Sequence, residues 1–186
     1  QPLDGTDGYY EYYFNSQFSK KPEVRSDGTV DYWSMNLIET VRNGQVIAEY
    51  HPAVQGHPGT NVHGLPVREK HGRELAMLKG KGFEREEDGI TYKANIDGKI
   101  TMTNDRITIS PIYEIQGDVD LSVGNIDFIG DVVIHGNVCN GVSIKSSGTV
   151  TVDGVVETAR IQAEKDIILR GGMLGGNKSS LYTKGN

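Results

Sequence analysis

The sequence predicts a mainly β protein in which a small, irregular antiparallel β domain precedes a right-handed parallel β-helix with about 17–18 residues per coil. The first observation is that residues 125–176 consist of three similar segments. Repetition at a short, fixed period is typical of solenoids, whose units bury their apolar faces against their neighbours. The second observation is the glycine content. The 186 residues include 24 glycines, and several follow aspartate in the Asp-Gly pairs that favour tight turns between short strands.

The three segments are 125–141, 142–159 and 160–176. Apolar residues recur in register among them, and the intervening positions vary, as at Asp127, Ser143 and Gln162. This alternation is typical of strands with one buried face. The predicted inward columns are Ile126, Val142 and Ile161; Phe128, Ile144 and Ala163; Val132, Val150 and Ile167; Ile134, Val152 and Leu169; and Val138, Val156 and Met173.

Glycines mark the predicted corners of the coils and recur near every sixth residue, which indicates three sides per coil. Two corners lack glycine and have Lys165 or Ala159 instead. The uneven segment lengths break the strict six-residue step of left-handed hexapeptide acyltransferases, so the right-handed winding usual for parallel crossovers is favoured. The glycine corners are Gly130 and Gly148; Gly136, Gly154 and Gly171; and Gly124, Gly141 and Gly176.

The repeat extends in both directions beyond these segments. Residues 113–117 match 132–136, so an earlier coil begins near Ile112, and residues 180–184 match the start of a further coil. We therefore expect two domains, residues 1–111 and residues 112–186, and a solenoid that continues past the last residue of the sequence.

Turn dipeptides divide the first 111 residues into strand-sized segments. Residues 36–42 fit a short helix or a strand, and residues 73–78 could begin a helix instead of completing a hairpin. The pattern is reminiscent of a barrel-sandwich hybrid of the biotinyl/lipoyl kind, without the modified-lysine hairpin of those carriers. We expect strands at 9–14, 29–33 and 46–50, a hairpin about His71-Gly72, and a three-stranded meander over 90–109.

Composition excludes several function classes. A net charge of −6 and a pI near 5.4 argue against the cationic footprint of a nucleic-acid-binding protein. Mean hydropathy is −0.44, and no apolar run approaches the ~18 residues of a membrane helix, so no membrane insertion is expected. The single cysteine, Cys139, precludes an internal disulfide and fits a reducing, cytoplasmic location.

Three histidines, His51, His57 and His63, stand six residues apart in a loop rich in glycine and proline. One interpretation is a metal site. The other is a connection with exposed histidines, which is favoured because equally spaced loop histidines without Cys, Asp or Glu ligands rarely bind zinc. The loop is longer than a hairpin requires, so a binding loop is a further interpretation.

Other candidate features favour structural roles. The aromatic run 9–14 fits a stacking platform or an ordinary strand, and the absence of accompanying cations favours the strand. His135, Asp153 and Arg170 are expected to stack outward on successive coils, as an acid–base trio or, preferably, as a ladder of compatible charges. Cys139 fits a packed residue. No nucleophile motif is present, and 79–82 lacks the spacing of a phosphate loop, so we predict no catalytic, cofactor-binding or metal-binding residues.

Five segments resemble the bacterial flagellar assembly protein A family. They are VRNGQVIA (41–48), GHPGTNVHG (56–64), GDVD through GNIDFIG (117–130), GVVETA (154–159) and GGMLGG (171–176). The resemblance spans nearly the whole chain in linear order. It implies a family-specific N-terminal region, a β-solenoid, a cytoplasmic location and, in some relatives, a regulatory role in flagellation through protein partners. It implies no catalytic residues, and a further C-terminal helical part often follows the solenoid in the family.

The leading hypothesis is therefore a non-enzymatic cytoplasmic scaffold or regulator that acts through protein contacts, with no cofactor and no nucleic-acid partner. One alternative is a polymer-forming cytoskeletal β-helix like the bactofilins, a homo-oligomer assembled through solenoid ends or faces. Another is a carbohydrate-binding or carbohydrate-active β-helix, although the outward columns lack the clustered carboxylates of polysaccharide enzymes.

Overall fold

A computed structural model describes residues 2–15, 39–176 and 179–185 of the chain. The described residues form β-strands, turns and bridges without a helix, and so without any helix able to cross a membrane. The predicted strand at 29–33 and residues 36–38 of the ambiguous segment 36–42 lie outside the described residues, whereas residues 40–41 of that segment form a short strand. The mainly β class is confirmed.

Ten strands belong to the N-terminal part. They are β1 (Tyr9–Tyr12), β2 (Thr40–Val41), β3 (Val46–His51), β4 (Gly59–Thr60), β5 (Pro66–Val67), β6 (Lys79–Lys81), β7 (Phe83–Arg85), β8 (Thr91–Ala94), β9 (Gly98–Thr103) and β10 (Arg106–Ser110). Two sheets, ordered β1-β3-β8-β7 and β2-β9-β10-β6, pack around one core, while β4 and β5 form a separate hairpin. All pairs are antiparallel except β6 with β10. The described part of the N-terminal region is therefore a two-sheet sandwich.

The core of this sandwich is apolar and draws on both sheets. Its buried members are Phe14, Val41, Ile47, Ala48, Tyr92, Ala94, Ile100, Ile107 and Ile109. On β8 and β10 the buried residues alternate with more exposed ones, which is the period-2 pattern of half-buried sheets, whereas β3 buries Ile47 and Ala48 in succession where its register with β8 shifts. The more specific likeness to a barrel-sandwich hybrid stays a prediction.

Two predicted pairings in this region are wrong. The meander over 90–109 divides between the sheets, because β9 pairs with β10 whereas β8 pairs with β3 and β7. The hairpin turns at 61–64 rather than at His71, because the Asn61 side chain accepts backbone hydrogen bonds from His63 and Leu65 and closes the turn there. Residues 68–78 are not helical and run extended beside residues 4–8.

Eight strands form the C-terminal solenoid. They are β11 (Ile112–Ile115), β12 (Ile126–Phe128), β13 (Asp131–Ile134), β14 (Ser143–Ser146), β15 (Val150–Val152), β16 (Arg160–Ala163), β17 (Ile167–Leu169) and β18 (Ser180–Thr183). They form two parallel sheets, β11-β13-β15-β17 and β12-β14-β16-β18. Isolated parallel bridges through Val119, Val138, Val156 and Met173 form the third side. The predicted three-sided solenoid is confirmed over four coils, and its handedness and the boundary at residue 111 stay predictions.

The predicted columns are correct on two of the three sides. Those beginning at Val132 and Ile134 follow the β13-β15-β17 register, and the column beginning at Val138 follows the isolated bridges. The pairing of Tyr113 with Val132 confirms the earlier coil, and the pairing of Ser180 with Arg160 confirms the later one.

On the third predicted side, the first and third coils align as predicted, and only the second coil is displaced, by two residues. Ile126 pairs with Ile144, not Val142, and Phe128 pairs with Ser146. The prediction failed because it placed only apolar residues inside, whereas Ser146 is 2% exposed. Its hydroxyl donates to the Gly130 carbonyl at 2.6 Å and accepts from the Gly148 N–H at 3.0 Å. In the outward column, Lys145 takes the position predicted for Ser143.

Corner asparagines and aspartates tie each coil to the next, a feature that the sequence analysis missed. The side-chain oxygens of Asn125, Asp131 and Asn137 accept hydrogen bonds from the backbone N–H groups of Ser143, Thr149 and Val155, each at 2.8–2.9 Å. Each acceptor and its donor are 18 residues apart. The corners are therefore held by side chains where the strand ladders are interrupted.

The sandwich contacts the first coil of the solenoid. Pro111 follows β10, and its carbonyl accepts a hydrogen bond from the Asp131 N–H at 2.9 Å. The Lys99 ammonium lies 4.6 Å from the centroid of the Tyr113 ring, which packs on Phe128. Burial lowers the pKa of Lys99 and raises that of Tyr113. A hydrogen bond and a cation–π contact therefore join the two regions.

Candidate functional site

A groove of about 630 Å³ lies in the N-terminal sandwich, beside strand β1. Its lining includes Tyr10 and Tyr12 of β1 and Leu75 and Met77 of the extended segment before β6. The remaining lining residues are Ala76, Leu78, Lys79, Asn104, Asp105 and Arg106. This combination of apolar walls with a few charged groups is typical of binding sites.

Hydrogen bonds fix the positions of the groove walls. The Tyr10 hydroxyl donates to the Ala76 carbonyl at 2.9 Å, and the Leu75 N–H donates to the Tyr50 hydroxyl at 3.2 Å. Burial raises the pKa of Tyr10 and of Tyr12, and the nearby Asp105 carboxylate adds to the effect at Tyr12. Both tyrosines are therefore protonated hydroxyls at neutral pH and act as neutral hydrogen-bonding groups.

Two cations lie side by side at one end of this groove. Lys79 and Arg106 occupy directly paired positions on the parallel strands β6 and β10. Within the described ranges neither makes an ion pair, although Asp105 lines the same groove. The sequence alone does not show that these residues are neighbours, because β6 and β10 are separated along the chain by three other strands.

A second concavity of about 490 Å³ lies at a corner of the solenoid, between the second and third coils. Its lining is mostly backbone and corner side chains, including Asn125, Asn140, Thr158 and Arg160. Asn140 already accepts a hydrogen bond from the Thr158 N–H at 3.0 Å, and Asn125 accepts one from Ser143. These amides serve the coil-to-coil ladder, so the concavity is a product of the winding.

The three loop histidines are separated by the fold. His51 ends β3, stacks on the Tyr9 ring at 4.5 Å and lies 3.2 Å from a Glu11 carboxylate oxygen. His57 pairs with Leu3 through its backbone, whereas His63 lies in the β4–β5 turn. In residues 2–15, 39–176 and 179–185, no three His, Cys, Asp or Glu side chains are grouped so that they could hold a metal ion.

The outward trio forms the charge ladder that the sequence analysis favoured. Asp153 accepts hydrogen bonds from the His135 imidazole and the Arg170 guanidinium, each at 2.8 Å. The hydrogen bond from His135 and then the charge of Arg170 lower the pKa of Asp153. Both carboxylate oxygens are engaged, and neither described groove includes these three residues.

Cys139 lies on the third side of the solenoid, next to the buried Val138. Burial, followed by the charges of Glu157, Asp118 and Asp120, raises the pKa of its thiol. A raised pKa opposes formation of the thiolate, the form that acts as a nucleophile. The geometry thus favours the packing role expected for Cys139.

The outward face of the β11-β13-β15-β17 sheet has a central column that is mostly uncharged. Its central column comprises Glu114, Val133, Thr151 and Ile168, one on each successive coil. Ile168 is 45% exposed, and Val133 and Thr151 are half-buried. We call Val133, Thr151 and Ile168 the β-branched strip.

Comparison with known protein families gives two matches that together span almost the whole chain. Residues 1–105 match the Flagellar Assembly Protein A N-terminal region, and residues 111–186 match the Flagellar Assembly Protein A β-solenoid domain. Searches of curated proteins and of solved structures gave no match. The order of the matched regions is also the order of the sandwich and the solenoid in the structure. The chain therefore belongs to the flagellar assembly protein A family.

Proposed function

We propose that the chain is a non-enzymatic cytoplasmic scaffold that contributes to flagellar assembly by binding other proteins. Family membership supports the connection with flagellar assembly. The scaffold role is supported mainly by the β-branched strip, a regular outward column on a parallel sheet in which Ile168 is exposed and Val133 and Thr151 are half-buried. Aliphatic and β-branched side chains at fixed spacing suit a flat protein interface, because little entropy is lost when they become buried.

The polar groups of the solenoid also favour a scaffold over an enzyme. The His135–Asp153–Arg170 ladder satisfies its own hydrogen bonds, and the corner asparagines bind backbone N–H groups of the next coil. A general acid or base must lie within hydrogen-bond reach of a bound substrate, and neither described groove includes His135, Asp153 or Arg170. Within the described residues, the polar groups of the solenoid thus serve its own structure.

The decisive experiment introduces a charge into the β-branched strip of the full-length protein in a flagellated host. Thr151→Glu places a carboxylate between Val133 and Ile168, and the matched control is Gln162→Glu, a half-buried outward position of the next coil on the other sheet. We expect deletion of the gene and Thr151→Glu both to reduce flagellar number and motility, and Gln162→Glu to behave like the wild type. Equal motility of both variants, at equal protein levels, would refute the role of the strip.

The polymer-forming alternative makes a separate demand on the ends of the solenoid. End-to-end stacking through the first coil would have to displace the sandwich, whose Lys99 covers Tyr113 and whose chain continues through Pro111. Electron microscopy of concentrated full-length protein tests this alternative, for which filaments are the expected result. A glycan array tests the carbohydrate-binding alternative in the same way.

A further inference from the structure

The groove beside β1 is locally cationic on a chain whose net charge is −6. Lys79 and Arg106 are paired across β6 and β10, and among the described residues Asp105 is the only acidic one lining the groove. Two adjacent like charges without an ion-pair partner among the described residues raise the local positive potential. Charge complementarity therefore favours an acidic ligand at this position.

The rim of the groove is apolar and open to solvent. Leu75 is 48% exposed and Met77 is 64% exposed, and both extend from an irregular segment rather than from a packed strand. The Met77 sulfur contacts the Arg85 guanidinium at 3.3 Å, and Tyr10 and Tyr12 line the same groove. Aromatic residues, methionine and arginine are the residue types enriched at protein interfaces.

The groove is also preformed. Side-chain hydrogen bonds hold the segment 75–76 against Tyr10 and Tyr50, and the turn that supplies Asn104 and Asp105 has left-handed backbone angles, with φ of 49° and 57°. This two-residue turn closes the tight β9–β10 hairpin. A partner would therefore meet walls that need little reorganisation, which lowers the entropic cost of binding.

We propose that this groove binds an extended acidic peptide segment of a partner protein, with a large apolar side chain between the tyrosines and Met77 and a carboxylate on Lys79 and Arg106. The paired guanidinium and ammonium groups suit a carboxylate, and the apolar rim suits a neighbouring side chain. Nucleic acid is disfavoured because two cations are too few for a phosphate-backbone footprint on an acidic chain. The inference is independent of the β-branched strip, which lies on the solenoid.

The test is selection of random dodecapeptides displayed on phage against the immobilised full-length chain, followed by fluorescence anisotropy with the enriched peptides. The principal variant is Lys79→Glu/Arg106→Glu. Its matched control is Lys145→Glu/Arg160→Glu, an equal charge reversal on exposed positions of the solenoid. Circular dichroism and thermal unfolding establish that each variant is folded. A second variant, Leu75→Ser/Met77→Ser, tests the apolar rim without altering the charge.

We expect enriched peptides to combine Asp or Glu with a large apolar residue. Their Kd should rise about tenfold or more in Lys79→Glu/Arg106→Glu, rise severalfold in Leu75→Ser/Met77→Ser, and stay unchanged in the control. Raising the salt concentration should weaken binding to the wild type and have less effect on the charge-reversed variant.

Three outcomes would overturn the proposal. They are a failure to enrich any peptide, enrichment of basic peptides, and binding that is equally strong in the wild type and the charge-reversed variant. Self-association of the wild type that is lost in Lys79→Glu/Arg106→Glu would assign the groove to a second copy of the chain instead. Because the β-branched strip is tested by Thr151→Glu, each hypothesis can fail without the other.

Discussion

The sandwich and the solenoid are built from similar short strands, but their contacts span very different distances along the chain. In the solenoid, hydrogen bonds between coils join residues 16–21 positions apart, as in Ser146 with Gly130 and Ser180 with Ala159. In the sandwich, Tyr10 contacts Ala76 and Tyr92, which are 66 and 82 positions away. The solenoid thus repeats the same contacts between neighbouring coils, whereas the sandwich core forms only when segments distant in the sequence pack together.

This difference indicates how each region responds to damage. A solenoid coil depends on its immediate neighbours, so its stability is approximately a sum of nearest-neighbour terms. The sandwich has one core shared by both sheets, and loss of any strand exposes the remainder. We expect graded, local responses in the solenoid and an all-or-none response in the sandwich.

The largest effects should come from truncating buried isoleucines, one in each region. Ile144 in the solenoid and Ile47 in the sandwich are both 0% exposed, so Ile144→Ala and Ile47→Ala should each cost about 2–5 kcal/mol. Hydrogen exchange read by mass spectrometry should show faster exchange in the coils flanking Ile144, but throughout the sandwich for Ile47→Ala. Uniform acceleration across the chain in both variants would contradict the comparison.

A glycine corner should give the next largest effect, and the solenoid supplies its own control. A Cβ on Gly154 would lie 2.5 Å from the carbonyl oxygen of Gly136 in the preceding coil, whereas Gly117, at the corner of the first coil, has no atom within 4 Å. Gly154→Ala should therefore lower the free energy of unfolding by about 1–3 kcal/mol. Gly117→Ala should change it by less than about 1 kcal/mol. Urea unfolding measures both, and equal losses would exclude coil contact as the cause.

The side-chain hydrogen bonds at the corners of the coils should make a smaller contribution to stability. Asn137→Ala removes the acceptor of the Val155 N–H and should cost about 1 kcal/mol, because a backbone donor loses its partner. Asp127→Ala is the control, since Asp127 is 73% exposed and lies 3.9 Å from Lys145. Thermal unfolding should separate the two variants; a loss in Asp127→Ala as large as that in Asn137→Ala would contradict the assigned role.

The smallest effect should be the acid dependence of the charge ladder. The folded-state pKa of Asp153 is lowered, so its contribution to stability is present above the unfolded pKa of about 3.9 and is lost as the pH falls through the folded pKa. Asp153→Asn should therefore lower the Tm at pH 7 and change it less at pH 3. A Tm difference that is the same at both pH values would show that the ladder acts by packing alone.

The sequence predicted the solenoid well because most of its inward residues are Val or Ile in fixed register. It failed on one side, where the buried Ser146 takes an inward position and a search for apolar residues selected Val142 instead. A hydroxyl satisfied by the backbone of the neighbouring coil cannot be identified from hydropathy. The side-chain hydrogen bonds at the corners could have been predicted, since Asn125, Asp131 and Asn137 recur in the sequence at six-residue steps.

The sandwich could be predicted only as a set of strands. Alternation located β1, β3 and β8–β10 in outline, but period-2 patterning does not specify which sheet a strand joins, so the meander was assigned wrongly. The groove depends on the same non-local choice, because Lys79 and Arg106 become neighbours only when β6 pairs with β10. From the sequence, residues 79–82 were considered only as a phosphate loop, and no binding residue was predicted in the groove.

The register of the solenoid also fixes the spacing of its coils along the axis. Each coil advances the chain along the axis by one strand spacing, about 4.8 Å. Duplication of a whole coil would lengthen the solenoid by one strand spacing and keep every inward residue inward. Insertion of a single residue within β15 would instead turn the following inward side chains outward. The distance between two proteins bound along such a surface would therefore change only by whole multiples of the coil spacing.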